Sequence, residues 1–426
     1  MSSTPTHRAI DTVWRMESAK IIAALTRMMR DVGLAEELAQ DALVSALEQW
    51  PASGIPDNPG AWLMAAAKHR AIDTWRRKKL LERKHEQLGR EMELQQEQNV
   101  PDFEAAMDDH IGDDLLRLMF MSCHPVLTRE ARLSLTLRLM GGLTPEEIAR
   151  AFLISETTVS QRIVRAKRTL SEAHVPFELP TKAELAERLG SVLEVIYLIF
   201  NEGYSATAGD DWMRPALCEE ALRLGRILAA LRPDESEVHG LVALMEIQAS
   251  RSPARVASDG TPILLLEQNR ALWDRLLILR GLAALDKANK LAASPRPYAL
   301  QAAIAACHAR ALTPEATDWQ EIARLYGELA AVMPSPVIEL NRAVAVAMAQ
   351  GPAAGLQIVD KLAGEPTLQS YHLLPSVRGD FLFKLGRFPE AKEEFARAAS
   401  ITRNVREREL LLERARVSEE KTSPTQ

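Results

Sequence analysis

The chain has 426 residues, a formal net charge of −6, and an ordinary balance of 47% hydrophobic and 26% charged residues. A chain of this length can form about two to four domains, each with a buried core. Because Ala, Leu, Glu and Arg dominate while β-branched and aromatic residues are scarce, we expect an all-α fold. The net negative charge excludes a protein whose whole surface binds polyanions, so any nucleic-acid site must be a local basic patch.

The cysteines and the lack of long apolar runs bear on the compartment. Cys123, Cys218 and Cys307 lie far apart, which argues against a disulfide framework and for a reducing environment. No signal peptide is evident, and no apolar run approaches the roughly 18 residues of a membrane span. We therefore expect a cytoplasmic protein without membrane contact. Cys123-His124 lacks metal-ligand spacing and no phosphate-loop or hydrolase motif occurs, so we expect no metal, no cofactor and no enzyme activity.

The first 84 residues are predicted to form one helical domain. Apolar residues recur at three- and four-residue spacing through residues 8–50, with a break at Gly33. The prolines of residues 51–59 indicate a loop, after which Asn58 and Pro59 start a helix that runs to about Lys84. The helix after Gly33 carries an acidic and amide face opposite its leucines, and spacing alone favours a merely solvated surface. This face comprises Glu36, Glu37, Gln40 and Asp41, and the leucines are Leu34, Leu38, Leu43 and Leu47.

The helix that begins at Pro59 is basic and carries aromatic residues. Lys and Arg outnumber Asp and Glu between Lys68 and Lys84. Such a helix suits unpaired nucleic acid, because rings stack on bases while cations follow the phosphates. The alternative, in which the tryptophans are core residues of a solvated helix, stays open. The candidate binding residues are Trp62, His69, Arg70, Trp75, Arg76 and Arg77.

A second domain is predicted over residues 111–175, after a Gln- and Glu-rich linker at 85–110. Gly141-Gly142 ends one helix, Thr144 starts the next, and Ser155 starts the last. The apolar stripe of this last helix predicts a helix–turn–helix, whose second helix reads DNA. A plain amphipathic pair is the alternative. The outward groups that can bond bases or phosphates are Thr157, Thr158, Ser160, Gln161, Arg162, Arg165 and Arg168.

Residues 176–415 are predicted to be a helical extension, followed by a disordered tail at 416–426. Small and bulky residues near the C-terminus fall where a helix–turn–helix repeat of about 34 residues places them, which favours a TPR-like domain. An irregular bundle is the alternative for residues 181–300. The matching positions are Gly379, Leu382, Gly386, Ala391, Phe395 and Ala398.

These blocks, in this order, resemble bacterial RNA polymerase sigma factors of the extracytoplasmic-function type over residues 10–172. The resemblance implies that ELAQDALVSALEQW docks on core polymerase through Glu37, Gln40 and Asp41. It implies that AWLMAAAKHRAIDTWRRKK captures the melted −10 element beside a loop after Trp50 that cups a flipped base. It also implies that GLTPEEIARAFLISETTVSQRIVRAKRTL reads the −35 element. His69 stands where the family usually has asparagine, which bears on the −10 base preference.

The remaining motifs resemble the sigma-factor group with a long tetratricopeptide-like extension. They are CHP at 123–125, FNEGYSAT at 200–207, and RPALCEEALRLGRILAALRPDESEVHGLVALM at 214–245. In that group the extension takes part in control of the factor, and we expect a protein or peptide partner for the repeats. The rival hypotheses are a DNA-binding regulator whose repeats sense a partner without sigma activity, and an enzyme using Asn201, Glu202 and Tyr204.

Overall fold

The protein is all-α in the part that the structure describes. The structure, a computed structural model, describes residues 5–89, 111–152, 154–206, 212–257, 261–294 and 296–422. Within these ranges it contains eighteen α-helices and no β-strand, with one isolated bridge between Val256 and Pro262. The predicted fold class is therefore confirmed. The chain divides into two compact units, Met1–Val195 and Ile196–Gln426.

Seven helices lie wholly in the first unit, and an eighth begins there and ends in the second. They are α1 (Pro5–Met29), α2 (Val32–Ser53), α3 (Pro59–Gly89), α4 (Ile111–Ser122), α5 (Arg129–Leu139), α6 (Pro145–Phe152), α7 (Glu156–Glu172) and α8 (Leu185–Tyr204). Helix α1 packs against α2, α3 and α4, so both predicted N-terminal blocks share this unit. Its fully buried side chains include Ile21, Leu25, Trp50, Leu63 and Phe120.

Local capping explains where these helices begin. Side-chain oxygens of Asp31, Thr128 and Ser155 accept hydrogen bonds from backbone amides in the first turns of α2, α5 and α7. At α6 the Glu147 amide donates to Thr144 Oγ1 at 3.1 Å, and the Thr144 amide donates to the Glu147 carboxylate at 2.9 Å. This reciprocal capping box confirms the helix start predicted at Thr144.

A glycine turn separates α5 from α6. Gly142 has φ of +66°, in the left-handed region that favours glycine. A Cβ at this position would also lie 2.9 Å from Ser18 Oγ on α1. The predicted stop at Gly141-Gly142 therefore coincides with a close approach of the turn to α1.

Two predicted boundaries differ from the structure. Helix α3 continues to Gly89, past the predicted linker start at 85; the rest of that linker, residues 90–110, lies outside the described residues. The prediction of a disordered tail is wrong for 416–422, because α18 continues to Thr422. Arg416 pairs with Glu413 and Glu420 along the helix, and Ser418 is fully buried. Residues 423–426 lie outside the described residues.

The second unit is a succession of packed helices. They are α9 (Pro215–Leu231), α10 (Ser236–Ala249), α11 (Arg275–Leu291), α12 (Pro297–Arg310), α13 (Trp319–Val332), α14 (Pro336–Gln350), α15 (Pro352–Leu362), α16 (Leu373–Lys384), α17 (Phe388–Ile401) and α18 (Val405–Thr422). Short 3₁₀ turns at Ser252–Ala254, Arg270–Leu272 and Pro366–Leu368 interrupt them. No helix among the described residues is long and apolar enough to cross a membrane.

The hairpin of α16 and α17 has the packing that the repeat pattern predicts. A Cβ on Gly379 would lie 2.9 Å from the Phe395 ring, so the glycine allows the two helices to approach closely. Gly386 occupies the turn with φ of +75°. Leu382, Ala391 and Phe395 are fully buried in the core that these helices share with their neighbours.

The FNEGYSAT segment supports the second unit structurally. Glu202 forms an ion pair with Arg214, and Tyr204 stacks on fully buried Phe200 at 5.6 Å between ring centroids. Gly203 faces the start of α9, where a Cβ would lie 2.6 Å from the backbone nitrogen of Cys218. These contacts account for most of a motif whose role the sequence alone did not explain.

We expect Gly203→Ala to destabilise the second unit by about 1–3 kcal/mol, because its methyl group would overlap backbone that cannot move aside freely. Gly327→Ala in α13 is the matched control, since nothing lies within 4 Å of its added Cβ. That control should gain about 0.5–1 kcal/mol from helix propensity. Urea denaturation measures both; equal stability of the two variants would contradict the close packing at Gly203.

Candidate nucleic-acid interface

Helices α6 and α7 form the predicted helix–turn–helix. Ala149 is buried on α6, and its carbonyl accepts a hydrogen bond from the Ile154 amide at 3.1 Å in the turn between the helices. The predicted stripe on α7 is fully or almost fully buried: Val159, Ile163, Ala166 and Leu170. Burial of this stripe fixes the opposite face of α7 outward, as a DNA-reading helix requires.

The outward face of α7 leaves several polar groups available. Gln161, Arg162 and Arg165 form no side-chain hydrogen bond or ion pair with the described residues, and Gln161 and Arg165 are exposed. Thr157 is also exposed, and Ser160 is half-buried. Two of the predicted DNA-binding residues already have a polar partner nearby in the sequence. Thr158 Oγ1 lies 2.7 Å from Ser155 Oγ, and Arg168 lies 2.7 Å from Glu172.

A cleft of about 440 Å³ lies between α2 and α3. It is lined by Leu38, Asp41, Ser45, Gln49, Trp62, Ala66, His69, Arg70, Asp73, Thr74 and Arg77. Trp62, His69, Arg70 and Arg77 from the predicted −10 set therefore line one cleft. Trp75 and Arg76 are not among its lining residues.

The cleft combines an aromatic wall with anchored cations. Trp62 packs edge-on against buried Trp50, with 5.4 Å between ring centroids. Arg70 donates a hydrogen bond to Ser45 Oγ at 2.5 Å and lies 3.5 Å from Asp41. Trp62 thus has both properties that the sequence left as alternatives, since it contacts the core and also lines an open cleft. A ring beside guanidinium groups suits an unstacked base and its phosphate.

The acidic face of α2 differs from the prediction at Glu36 and Leu47. Glu36 is only 3% exposed and forms ion pairs with Arg138 of α5, at 2.5 Å, and with Lys167 of α7. It belongs to the interior because α2 turns this position toward α5 and α7. Leu47, predicted to face inward, is 37% exposed, and Val44 is 49% exposed.

Polar and apolar groups therefore share the exposed side of α2. Glu37 and Asp41 are exposed, while half-buried Gln40 donates to Glu36 at 2.5 Å. Val44 follows Gln40 and Asp41 at helical spacing, so these side chains lie along one face. The sequence analysis missed Val44, since its exposure follows only from which residues form the core.

Further ion pairs hold the two N-terminal blocks together. Arg15 of α1 lies 2.5 Å from Glu147 of α6, and Arg27 of α1 lies 3.0 Å from buried Asp114 of α4. Burial opposes ionisation of Glu147, but the Thr144 amide and Arg15 outweigh it and hold its pKa below the usual range. The first unit is thus closed by charged contacts on several helices.

The CHP segment is anchored rather than arranged for metal binding. Ser191 Oγ donates to the Cys123 carbonyl at 2.6 Å, and Arg188 donates to the Phe120 carbonyl at 3.0 Å. Burial raises the pKa of the Cys123 thiol to about 11. Among the described residues, no group of three or more His, Cys, Asp or Glu could hold a metal ion.

Comparison with known proteins assigns both N-terminal blocks to families. Residues 14–80 match the model of Sigma-70 region 2, and residues 117–170 match that of Sigma-70, region 4. Residues 188–289 match a family of unknown function, DUF6596. These matches cover the cleft helices, the helix–turn–helix and the start of the second unit, respectively.

Two relatives extend these matches. An uncharacterized protein of Rhizobium meliloti (strain 1021) is 44% identical over 394 residues, which cover 91% of this chain and 90% of the relative. The ECF RNA polymerase sigma factor SigK of Mycobacterium tuberculosis (strain ATCC 25618 / H37Rv) is 30% identical over 158 residues, covering 36% of this chain and 78% of SigK. No solved structure matches the chain.

With a region 2 and a region 4 match in the expected order, and a sigma factor aligned over most of its own length, the chain belongs to the ECF RNA polymerase sigma factors, which direct RNA polymerase to promoters.

Proposed function

We propose that this sigma factor divides promoter recognition among three surfaces of its first unit and performs no chemistry itself. Helix α2 docks on core polymerase, the α2–α3 cleft holds the melted −10 strand, and α7 reads the −35 duplex. The observation that carries this proposal is the free polar face of α7, fixed outward by its buried stripe in the same unit as the aromatic and basic cleft.

The docking surface is proposed to be Glu37, Gln40, Asp41, Val44 and Leu47. Exposed apolar side chains bordered by charged and amide groups are typical of protein interfaces, since the apolar groups supply burial and the polar groups supply orientation. Val44 is about half exposed and Leu47 about one-third exposed, so Val44 makes the smaller contribution to the folded core. Substitution of Val44 therefore best separates binding from stability.

Val44→Ser and Asp41→Lys should each weaken binding to core polymerase about tenfold, which corresponds to roughly 1.4 kcal/mol at an interface. The unfolding free energy of Val44→Ser should stay within about 0.5 kcal/mol of the parent value, and that of Asp41→Lys should fall by no more than about 1 kcal/mol, since its pair with Arg70 is exposed. Leu279→Ser on α11, an equally simple truncation at a 66% exposed site, is the control. Fluorescence anisotropy of the labelled factor measures the affinity for core polymerase. Unchanged affinity in both α2 variants would place the docking surface elsewhere.

Reading of the −35 element is proposed to divide into base and phosphate contacts. Arg162 and Arg165 have no ion-pair partner among the described residues and can present both guanidinium nitrogens to a guanine. Arg168, near the end of α7 and paired with Glu172, suits a phosphate contact.

Arg162→Ala or Arg165→Ala should cost about 1–3 kcal/mol on the cognate −35 sequence and relax preference at one base. Arg168→Ala should weaken all sequences similarly and lower the salt slope by about one. Arg324→Ala in α13 is the control, since this arginine also pairs with glutamates along its own helix. Binding selections on randomised −35 duplexes measure the base preference at each position. An unchanged preference in both the Arg162 and the Arg165 variant refutes the assignment of α7 as the recognition helix.

We further propose that the first unit is closed in the free factor and opens at the promoter. Sites centred about 25 base pairs apart are about 85 Å apart along B-DNA at ~3.4 Å per base pair. A compact unit of this length has a radius of gyration of about 16 Å. Helices α3 and α7 both contact α2, so they cannot reach two such distant sites without separating.

Glu36 is the group on which this closure is proposed to depend. Its buried carboxylate joins α2 to both α5 and α7 through Arg138 and Lys167. Removing one partner of a buried ion pair leaves the other charges uncompensated, at a cost of about 3–5 kcal/mol. When α2 separates from α5 and α7 in the open state, water instead solvates the charges of Glu36, Arg138 and Lys167.

Glu36→Gln should therefore shift the free factor toward the open state, because Arg138 and Lys167 then repel each other. Dyes at Ser53 of α2 and Ser171 of α7, both exposed, report the separation in a Cys307→Ser background. We expect the efficiency of resonance energy transfer between the two dyes to be lower in Glu36→Gln than in the parent. We also expect added salt to change this efficiency less in Glu36→Gln. Glu48→Gln, an exposed site on the same helix, should behave like the parent. Identical transfer in both variants contradicts the closure.

The second unit is proposed to control the factor and to bind a protein or peptide partner on its helical repeats. Its support is that this unit has its own buried cores, such as the one formed by Leu340, Leu382 and Phe395. Stacked helical hairpins commonly present extended binding surfaces. This role leaves promoter reading to the first unit.

A further inference from the structure

Three arginines and a histidine are buried together in the second unit. Arg251, Arg255 and Arg270 are 9%, 7% and 5% exposed, and His308 is 7% exposed. Arginine is rarely buried to this extent unless a carboxylate or another anion accompanies it. Within the described residues, none of the three arginines forms an ion pair. We call these four residues the arginine cluster.

Two of these arginines are held by neutral groups. Arg255 donates to the Tyr204 carbonyl, and its guanidinium carbon lies 3.5 Å from the Tyr204 ring centroid. Arg270 donates to the His308 and Ala311 carbonyls at 3.0 and 2.8 Å, and to Thr317 Oγ1 at 2.9 Å. These bonds position the guanidinium groups but supply no negative charge.

The side chain of Arg251 forms no hydrogen bond with the described residues, although its backbone does. Its guanidinium carbon lies 5.6 Å from the Tyr204 ring centroid and 5.9 Å from that of Trp273, and its Nε is buried without a partner. An arginine keeps its proton in a protein, so this side chain stays charged. Ring faces do not replace a hydrogen-bond acceptor, so among the described residues the buried Nε of Arg251 lacks the partner that such a group requires.

Two further buried nitrogens of the same region lack a partner among the described residues. The Trp273 indole Nε1 and the His308 Nδ1 are both buried without a hydrogen bond. Burial, then Arg251 and Arg270, lower the pKa of His308 to about 3, so that histidine is neutral at physiological pH. Burial, together with Arg251, also lowers the pKa values of Arg255 and Arg270. The cluster therefore concentrates positive charge that no ion pair with a described residue offsets, although the exposed carboxylate of Glu315 acts on Arg270 from a distance.

We propose that the arginine cluster is a binding site for an oxyanion, the phosphate or carboxylate group of a small molecule, with Arg251 as its principal ligand. An oxyanion accepts two parallel hydrogen bonds from a guanidinium fork and offsets the repulsion between neighbouring arginines. The Tyr204 and Trp273 rings reduce water access beside Arg251, and a lower local polarity strengthens the charged bonds. This site is separate from the promoter-binding surfaces.

The test uses the full-length chain with inorganic phosphate and with acetate, each against sodium chloride at equal ionic strength. Isothermal titration calorimetry and the thermal unfolding midpoint should show saturable binding of at least one oxyanion. Arg251→Met should retain the fold and lose at least about tenfold in affinity, since hydrogen bonds to charged groups are strong. Arg275→Met, an exposed arginine of α11, should bind as the parent does.

A second variant keeps the test decisive if methionine is not tolerated. Arg251→Lys retains the charge but loses the planar fork, so it should fold and bind more weakly than the parent. A response to phosphate over acetate identifies a phosphate ligand, and the reverse identifies a carboxylate. No response beyond that to chloride overturns the proposal. Equal responses of the parent and both Arg251 variants also overturn the proposal, because they would show an adventitious ion only.

Discussion

The buried carboxylate of Glu36 is the contact on which the first unit depends. One side chain connects α2 with Arg138 of α5 and Lys167 of α7, and so ties the helix proposed to dock on polymerase to the helix proposed to read DNA. Such an ion pair contributes little net stability compared with an apolar contact, but it is costly to break from one side. That property suits a contact that must form in one state and be lost in another. Arg15 and Arg27 of α1 likewise join it to other helices of the first unit, through Glu147 of α6 and Asp114 of α4.

Local chemistry in the sequence was sufficient for much of the first unit. The cap at Ser155, the capping box at Thr144 and the left-handed turn at Gly142 each have a signal in neighbouring residues, so the sequence located them correctly. The apolar stripe of α7 likewise needs only helical periodicity. The resemblance then implied a polymerase-docking role for α2, whose acidic face spacing alone had assigned to solvent, and it specified the −10 element for α3, whose basic and aromatic pattern had already suggested unpaired nucleic acid.

Long-range packing accounts for what the sequence did not reveal. Glu36 and Glu37 are adjacent acids on one helix, yet only the first meets cations from α5 and α7. Leu47 was expected inside and Val44 was not singled out, because helical spacing gives the relative faces of residues but not which face other helices cover. The tail was mistaken for disorder because it continues α18, whose buried Leu411, Ala415 and Ser418 pack against other helices, a long-range contact that the local sequence does not reveal. The arginine cluster joins residues from three separate segments and has no local pattern.

The capping box of α6 has a consequence for how the first unit can change shape. Glu147 serves both the Thr144 amide, three residues away, and Arg15 on a distant helix. If the distant contact is lost, the local one remains, so α6 keeps its first turn and the orphan amide stays satisfied. In the proposed opening, α6 and α7 would therefore detach from α1 as a preformed helix–turn–helix. The loss of the Arg15 contact would carry an energetic cost, while the shape proposed to meet the major groove would stay the same.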